Sequence, residues 1–357
     1  MVSSRQARCR AEEGGGAEEG VVCPPEWLPL VFGSIPSDFV EYSCSRQPKV
    51  ALCIYGLVRS VHTTRSTLQQ HVRLPLRNIG GTDTFVHTLL RSVINDPRSN
   101  ERHVGLHPAD FLFLGPMCRF TAEDGDAIDA RELLNVSILN AVYAKTNVSY
   151  PVRTLRNWLR AMYSLKRVAE MAIAHEEKGS FQYRLVAAVR PDTAFLTELP
   201  WQQLDFLFQA REAHVLVPDF HHYGGVNDRF ALGTRNAMFF AHMDRLARLK
   251  KMLISRAQGL GTYSNSEGLL CRQLLANRIR VLLANLCVVR VRTNGDCPSG
   301  DFLAHFEGSV NSFCGQLLAS KPNISAIAWP CANKRCPTGA FVASDVSYGY
   351  TPTHTVL

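Results

Sequence analysis

The run Val50-Ala51-Leu52-Cys53-Ile54-Tyr55 is apolar at every position and stops at Gly56. A strand with one solvated face would alternate, so this pattern predicts a strand buried on both faces, as in a parallel sheet. A helix is expected from about Thr63 to Leu76, then short strands at Thr84–His87 and Phe111–Leu114. The polar stretch Asn95–His107 between them reads as a loop, and a helix is expected from about Asp126 to Tyr143. From Leu155 to Ile173 the apolar positions Leu155, Trp158, Leu159, Met162, Leu165, Ala169, Ala172 and Ile173 keep a helical period of ~3.6 residues. Tyr183–Arg190 predicts a second buried strand ended by Pro191-Asp192, and His214–Val217 a third ended by Pro218-Asp219. Helices are expected at Asn236–Ser255 and Ser266–Asn277, and a last core strand near Val288–Val291. Strands alternating with helices predict a three-layer α/β domain.

Residues 1–46 form a polar, Gly- and Glu-rich lead-in with no apolar targeting core, and are expected to be flexible. The folded domain is expected over residues 47–296. Residues 297–357 hold many Pro, Gly, Ser and Cys, and predict an irregular C-terminal extension. With 46% hydrophobic and 20% charged residues in 357, the chain can bury a large core, which excludes disorder for most of it. The longest apolar run, Val281–Val289, is interrupted by Asn285 and falls short of the ~20 residues of a spanning helix.

The net charge is +8, but 31 of the 39 basic residues are Arg, a skew that GC-rich coding explains as readily as a binding surface. No nucleic-acid partner is expected. Between Arg235 and Arg292, 11 Lys/Arg face two acids, Asp244 and Glu267, so one face of the domain can attract a phosphate-bearing ligand. Eleven cysteines include no CxxC pair, which argues against a zinc site. Cys331 with Cys336 and Cys297 with Cys314 are spaced for small disulfide loops, whereas Cys44, Cys53, Cys118, Cys271 and Cys287 are scattered. Sequons at Asn135, Asn147 and Asn323 and the clustered cysteines point to a Golgi or secretory lumen. The polar N-terminus points instead to the cytoplasm, or to a targeting segment missing from the sequence.

In open α/β sheets, ligands bind beyond the carboxyl ends of the strands, which selects three loops. The first, Gly56-Leu57-Val58-Arg59-Ser60, offers a close turn and an always-charged guanidinium for a diphosphate, without the spacing of a P-loop. The second, Arg190-Pro191-Asp192-Thr193, places an acid where burial is costly without a partner or ligand. Asp192 either holds a divalent metal between phosphates or caps the turn after Pro191. The third, from Pro218 to Phe230, packs Asp219, His221, His222, Tyr223, Asn227, Asp228 and Arg229 around Gly224-Gly225. Asn227 and Asp228 suit sugar hydroxyls, and an Asp228–Arg229 surface ion pair is the plainer reading. Glu267 in Ser264-Asn265-Ser266-Glu267 is either a fourth site residue or the acid of a capping box.

The series GLVRS, DTFVH, NWLRAMYSLKRVAEM, YRLVAAVRPD, GGVNDRFALG and SEGLLCRQLL, over roughly Lys49 to Gly295, resembles the GT-A-like glycosyltransferases of lipopolysaccharide-core and capsule synthesis, the WavE-like group, and their algal relatives. The resemblance implies a Rossmann-like, mixed and mostly parallel sheet with helices on both faces. It also implies a transferase that moves a sugar from a nucleoside-diphosphate sugar to a glycan hydroxyl. By that analogy Gly56, Arg59, Arg190 and Asp192 contact the donor, with Mg²⁺ or Mn²⁺ on Asp192. Asn227, Arg229 and Asp219 then face the sugar or acceptor, and Asp228 and Glu267 compete as catalytic acid–base. Asp228 is preferred, because Glu267 has a structural use as a cap. The sequence has R-P-D where the common pattern has D-x-D, and the tail after Cys297 has no counterpart. Two other classes stay open: a sulfotransferase-like nucleotide-dependent enzyme, and a non-catalytic carbohydrate-binding protein on the same scaffold. All of this requires Asp192 and the N-D-R-F block to share one site.

Overall fold

The computed structural model describes residues 44–45, 47–91, 93–96, 101–106, 110–111, 114–128, 152–220, 222, 225–254 and 266–293. In chain order the elements are β1 (Pro48–Gly56), α1 (Val61–Leu68), α2 (Leu74–Ile79), β2 (Gly81–Leu90), β3 (Val93–Asp96), β4 (Glu101–Gly105), β5 (Arg119–Asp124), α3 (Gly125–Ile128) and α4 (Val152–Gly179). There follow β6 (Leu185–Val189), β7 (Thr193–Phe195), α5 (Trp201–Gln209), β8 (His214–Pro218), β9 (Phe230–Thr234), α6 (Arg235–Ala237), α7 (Arg245–Ile254), α8 (Ser266–Ala276), β10 (Arg280–Ala284) and β11 (Val288–Arg290).

Seven strands form one sheet in the order β10-β8-β9-β6-β1-β2-β5. All its pairings are parallel except those of β9, which runs against both β6 and β8. This is the mixed, mostly parallel α/β sheet that the sequence predicts. Because β1 is central, its alternate residues enter two different cores. Val50, Leu52 and Ile54 pack with Leu68 of α1, Leu76 of α2 and Leu204 and Leu207 of α5. Ala51, Cys53 and Tyr55 pack with Leu165, Val168 and Ala172 of α4 and Leu270 and Leu274 of α8. Helices therefore cover both faces, which explains the unbroken apolar run of β1.

A π-type turn at Gln69–Arg73 joins α1 to α2. Pro75 follows it inside the helical rod; lacking an N–H and crowding the carbonyl four residues back, it favours such a widened turn.

Several expectations are corrected. Phe111 and Leu114 lie in 3₁₀ turns and are buried, Phe111 stacking on Phe120 at 4.0 Å; the edge strand is Arg119–Asp124. The polar stretch read as a loop forms the antiparallel β3–β4 hairpin. The strand at Val288 belongs to a separate two-stranded ribbon with β7, and the sheet edge is β10. The basic helix from Asn236 is interrupted: after α6 a π-type turn, Met238–His242, precedes α7. The helix expected over Asp126–Tyr143 is described only as Gly125–Ile128.

Cys44 and Cys118 form a disulfide across 74 residues with Cα atoms 4.5 Å apart, a pairing that sequence spacing did not suggest. Cys287 is disulfide-bonded as well. The Cys331/Cys336 and Cys297/Cys314 pairings, the three sequons and the C-terminal extension lie outside the described residues. No described helix is long and apolar enough to cross a membrane.

Candidate functional site

The loop after β1 is held open by local geometry. Gly56 sits at φ +105°, where a side chain is strained, and its N–H donates to Ser164 Oγ of α4 at 2.8 Å. This anchoring aims Arg59 inward. Arg59 Nε and Nη2 donate to Asp192 Oδ2 at 3.0 and 2.8 Å, and Nη1 donates to Glu101 Oε2 of β4 at 2.7 Å. Arg190 closes on the same acid, with Nε on Oδ1 at 2.9 Å and Nη2 on Oδ2 at 2.8 Å. Glu101 Oε1 accepts from both the backbone N–H and the hydroxyl of Thr293 at 3.0 Å, and Arg292 lies 3.9 Å from Oε2.

Arg59, Asp192, Glu101 and Arg292 are all buried. Three guanidiniums against two carboxylates leave this cluster with an excess positive charge. Burial opposes ionisation of Asp192, but Arg190 and Arg59 outweigh it and hold the carboxyl well below the usual carboxylate range. Burial, with Arg59 beside it, lowers the Arg292 guanidinium to about 10. Ser60 Oγ, Thr193 Oγ1 and Arg292 Nε are buried with no hydrogen-bond partner among the described residues. Buried donors left unmatched around a net positive cluster are what an incoming anion would satisfy.

The same geometry argues against a metal on Asp192. A carboxylate offers about four acceptor positions. Asp192 already receives four charge-assisted hydrogen bonds from two guanidiniums. Mg²⁺ or Mn²⁺ on this carboxylate would sit directly beside the charge of two guanidiniums, so this donor set does not fit a divalent cation.

The second cluster is built by the loop into β9. Asn227 is buried and bonded inside that loop: Nδ2 donates to Phe220 O at 2.6 Å and Oδ1 accepts the Arg229 N–H at 2.9 Å. It shapes the turn. Arg229 is buried with its guanidinium 5.7 Å from the Phe220 ring centre. Asp219 is about half exposed and sits near His222, with Nε2 at 3.4 Å, at the margin of the group. Asp228 pairs with Arg245 of α7 rather than with its neighbour Arg229. Its Oδ2 accepts from Arg245 Nη1 at 3.0 Å and from the Ser266 hydroxyl at the start of α8.

Glu267 follows in the first turn of α8; Ser264, the other half of the capping box that the sequence suggested, lies outside the described residues. The Val226 N–H donates to the Glu267 carbonyl at 3.1 Å. A Cβ on Gly225 would lie 2.1 Å from that same carbonyl. Only glycine lets the loop press this closely on α8, and that contact sets Glu267 beside Asp228. Gly225→Ala is therefore expected to push α8 and the loop apart. A drop in thermal midpoint together with loss of ligand binding checks this; an unchanged midpoint would refute the close approach.

The two acids are driven in opposite directions. Burial, then the charge of Asp228, raises the Glu267 carboxyl to about 7. For Asp228 burial also favours the neutral form, but Arg245 and the Ser266 hydrogen bond prevail and keep it below the ordinary value. Carboxylates whose environments separate their protonation in this way form acid–base pairs. The sequence preferred Asp228 for proton transfer, whereas the carboxyl shifted toward neutrality is Glu267. Asp228 is committed to Arg245 and Ser266, and Glu267 is the group able to exchange a proton near neutrality. Beneath them His242 is fully buried, and burial followed by the charge of Arg245 holds it well below the usual imidazole range, so it is neutral.

Arg190 links the clusters, since its charge acts on both Asp192 and Asp228. Tyr55, at the end of β1, donates from its hydroxyl to the Asp228 carbonyl at 3.2 Å. Both clusters therefore stand at the carboxyl ends of β1 and β6, and the three loops selected by sequence converge there. Sequence reasoning missed Tyr55, Glu101, Arg245, Ser266, His242 and Arg292. Tyr55 was absorbed in a core run and Glu101 in a polar stretch, and their partners lie 173 and 42 residues away. No protein-family model and no curated protein matches this chain.

Proposed function

We propose that this chain transfers a sugar from a nucleoside-diphosphate sugar to a glycan hydroxyl, on a GT-A-like scaffold, with arginines in place of a metal. The observation that carries the reading is the net positive cluster of buried Arg59 and Arg292 and half-buried Arg190 around Asp192 and Glu101, next to the Asp228–Glu267 pair. When the bond from sugar to diphosphate breaks, negative charge grows on the leaving group. Fixed positive groups in a dry site lower that barrier, each such contact being worth about 3 kcal/mol. Glu267, when ionised, accepts the proton of the attacking hydroxyl. Asp228, kept charged by Arg245, biases the Glu267 proton equilibrium and orients the start of α8. The motif resemblance and the mostly parallel sheet with its site at strand ends support the same assignment. The disulfides at Cys44–Cys118 and Cys287 support residence in an oxidising lumen.

Thermal shift against UDP-, GDP- and CDP-sugars and against the bisphosphate nucleotide that carries sulfate tests this reading, with and without a chelator. A sugar nucleotide at 100 times its Kd stabilises the native state by ~2.7 kcal/mol, and chelation is expected to leave that shift unchanged. A shift with the sulfate carrier alone would instead select a sulfotransferase. A shift abolished by chelator would restore the metal. Glycan binding with no nucleotide shift would mark a non-catalytic lectin-like role.

A further inference from the structure

At the opposite end of the strands, where β1, β2 and β5 begin, the Cys44–Cys118 disulfide lies against His175 of α4. Sulfur and ring-nitrogen atoms of Cys44, Cys118 and His175 all fall within 4.8 Å of one another. His175 Nε2 is 3.7 Å and Nδ1 4.0 Å from Cys118 Sγ. The ring is fixed between Phe85 and Phe181, with centroids at 5.7 and 5.5 Å. Behind it stands Asp83, fully buried, with Oδ2 3.4 Å from His175 Nε2. Asp83 also accepts the Ser45 N–H at 2.6 Å and the Tyr183 hydroxyl at 2.7 Å.

We propose that reduction of Cys44–Cys118 turns this cluster into a zinc site, with Cys44 Sγ, Cys118 Sγ and His175 Nδ1 as ligands. Two thiolates and one imidazole form a soft, borderline donor set that favours Zn²⁺ over Mg²⁺ or Ca²⁺. In the metal-bound form Asp83, whose Oδ2 stands 3.4 Å from Nε2, would accept Nε2–H and leave Nδ1 to the metal, the carboxylate–histidine–zinc arrangement. Cys44 is exposed, so the fourth position opens to water. With Zn–S distances of about 2.3 Å, the two sulfurs must move apart, and rotation of the exposed Cys44 side chain allows it.

The conversion needs a dithiol reductant. One of its thiolates attacks the exposed Cys44 sulfur, the Cys44–Cys118 bond breaks, and Cys118 leaves as a thiolate. The second reductant thiol then displaces Cys44 and becomes the reductant's own disulfide. Two electrons pass to the protein's sulfurs, and Zn²⁺ replaces the protons that two thiols would carry. In the oxidised form the bonded sulfurs have no charge to offer, so the metal and the disulfide exclude each other. The proposal does not depend on the transferase reading, because no residue is shared with that site.

Cobalt(II), a spectroscopic substitute for zinc, tests it in the full chain, anaerobically, with and without a non-metal-binding phosphine reductant. The reduced protein is expected to bind cobalt with a thiolate-to-metal charge-transfer band that zinc displaces, and the oxidised protein to lack the band. Cys44→Ser and His175→Gln are expected to remove it while circular dichroism stays that of the parent, and Asp83→Asn to weaken binding about 10- to 100-fold. A folded reduced protein without the band would overturn the proposal. So would a band that survives Cys44→Ser, which would place the metal on other cysteines, or unfolding of the parent on reduction.

Discussion

Glu267→Gln is expected to lower turnover by about two to four orders of magnitude, the usual contribution of a positioned general base, while donor affinity stays within a few-fold. The amide keeps the size and the neutral state that Glu267 holds at low pH, so α8 should not move. Wild-type activity should rise as pH passes about 7, where this carboxyl ionises, and the variant should lose that limb. Stability should respond with the opposite sign. A carboxyl raised in the folded state stabilises it fully below the unfolded value of about 4.3, and that contribution is lost as pH climbs to about 7. Between pH 5 and pH 8 the parent should therefore lose more in urea midpoint than Glu267→Gln. Turnover of the variant within tenfold of the parent would reject Glu267 as the base and return the role to Asp228.

Arg59→Ala is expected to cost about 3–5 kcal/mol, the range for breaking a buried ion pair by removing one partner. The magnitude follows from what it leaves behind. Glu101 is completely buried and would keep only the Thr293 donors and the more distant Arg292. Asp192 would keep Arg190. Arg59→Lys should recover little, because an ammonium cannot fork between two carboxylates. Denaturant unfolding of Arg59→Ala, Glu101→Gln and the double variant forms a cycle in which the double variant should be more stable than additivity predicts. A loss below about 1 kcal/mol for Arg59→Ala would mean that these charges reach water in solution.

What the sequence made legible was set by local pattern. The apolar runs of β1 and β6 and the 3.6-residue stripe of α4 are each decided within one stretch of chain, and each was found. The loops that the strand-end rule selected also lie together, Arg59 on Asp192 and the charge of Arg190 acting on both Asp192 and Asp228. Elements whose identity depends on a distant partner were lost. Phe230–Thr234 reads as the tail of a polar loop until β6 and β8 flank it. The hairpin strand with Glu101 reads as surface until Arg59 and Thr293 close on it. Side-chain partners were hidden for the same reason. Asn227 looked like a ligand residue because its amide is polar, yet its partners are the backbone of its own loop. Asp228 looked like the base because Arg245 and Ser266, 17 and 38 positions further on, could not be foreseen.

The reversed direction of β9 has a bearing on how the fold can vary. Val189 at the end of β6 faces Phe230 at the start of β9 in the ladder. Asp192 lies three positions after one member of that rung and Asp228 two positions before the other. The spacing between the anion-binding half and the proton-transfer half is thus tied to a single cross-strand pairing, whatever the length of the chain that connects them. Relatives could lengthen the connections on either side of α5 and keep the chemistry aligned, whereas a one-residue slip of β9 against β6 would turn the two halves to opposite sides of the sheet.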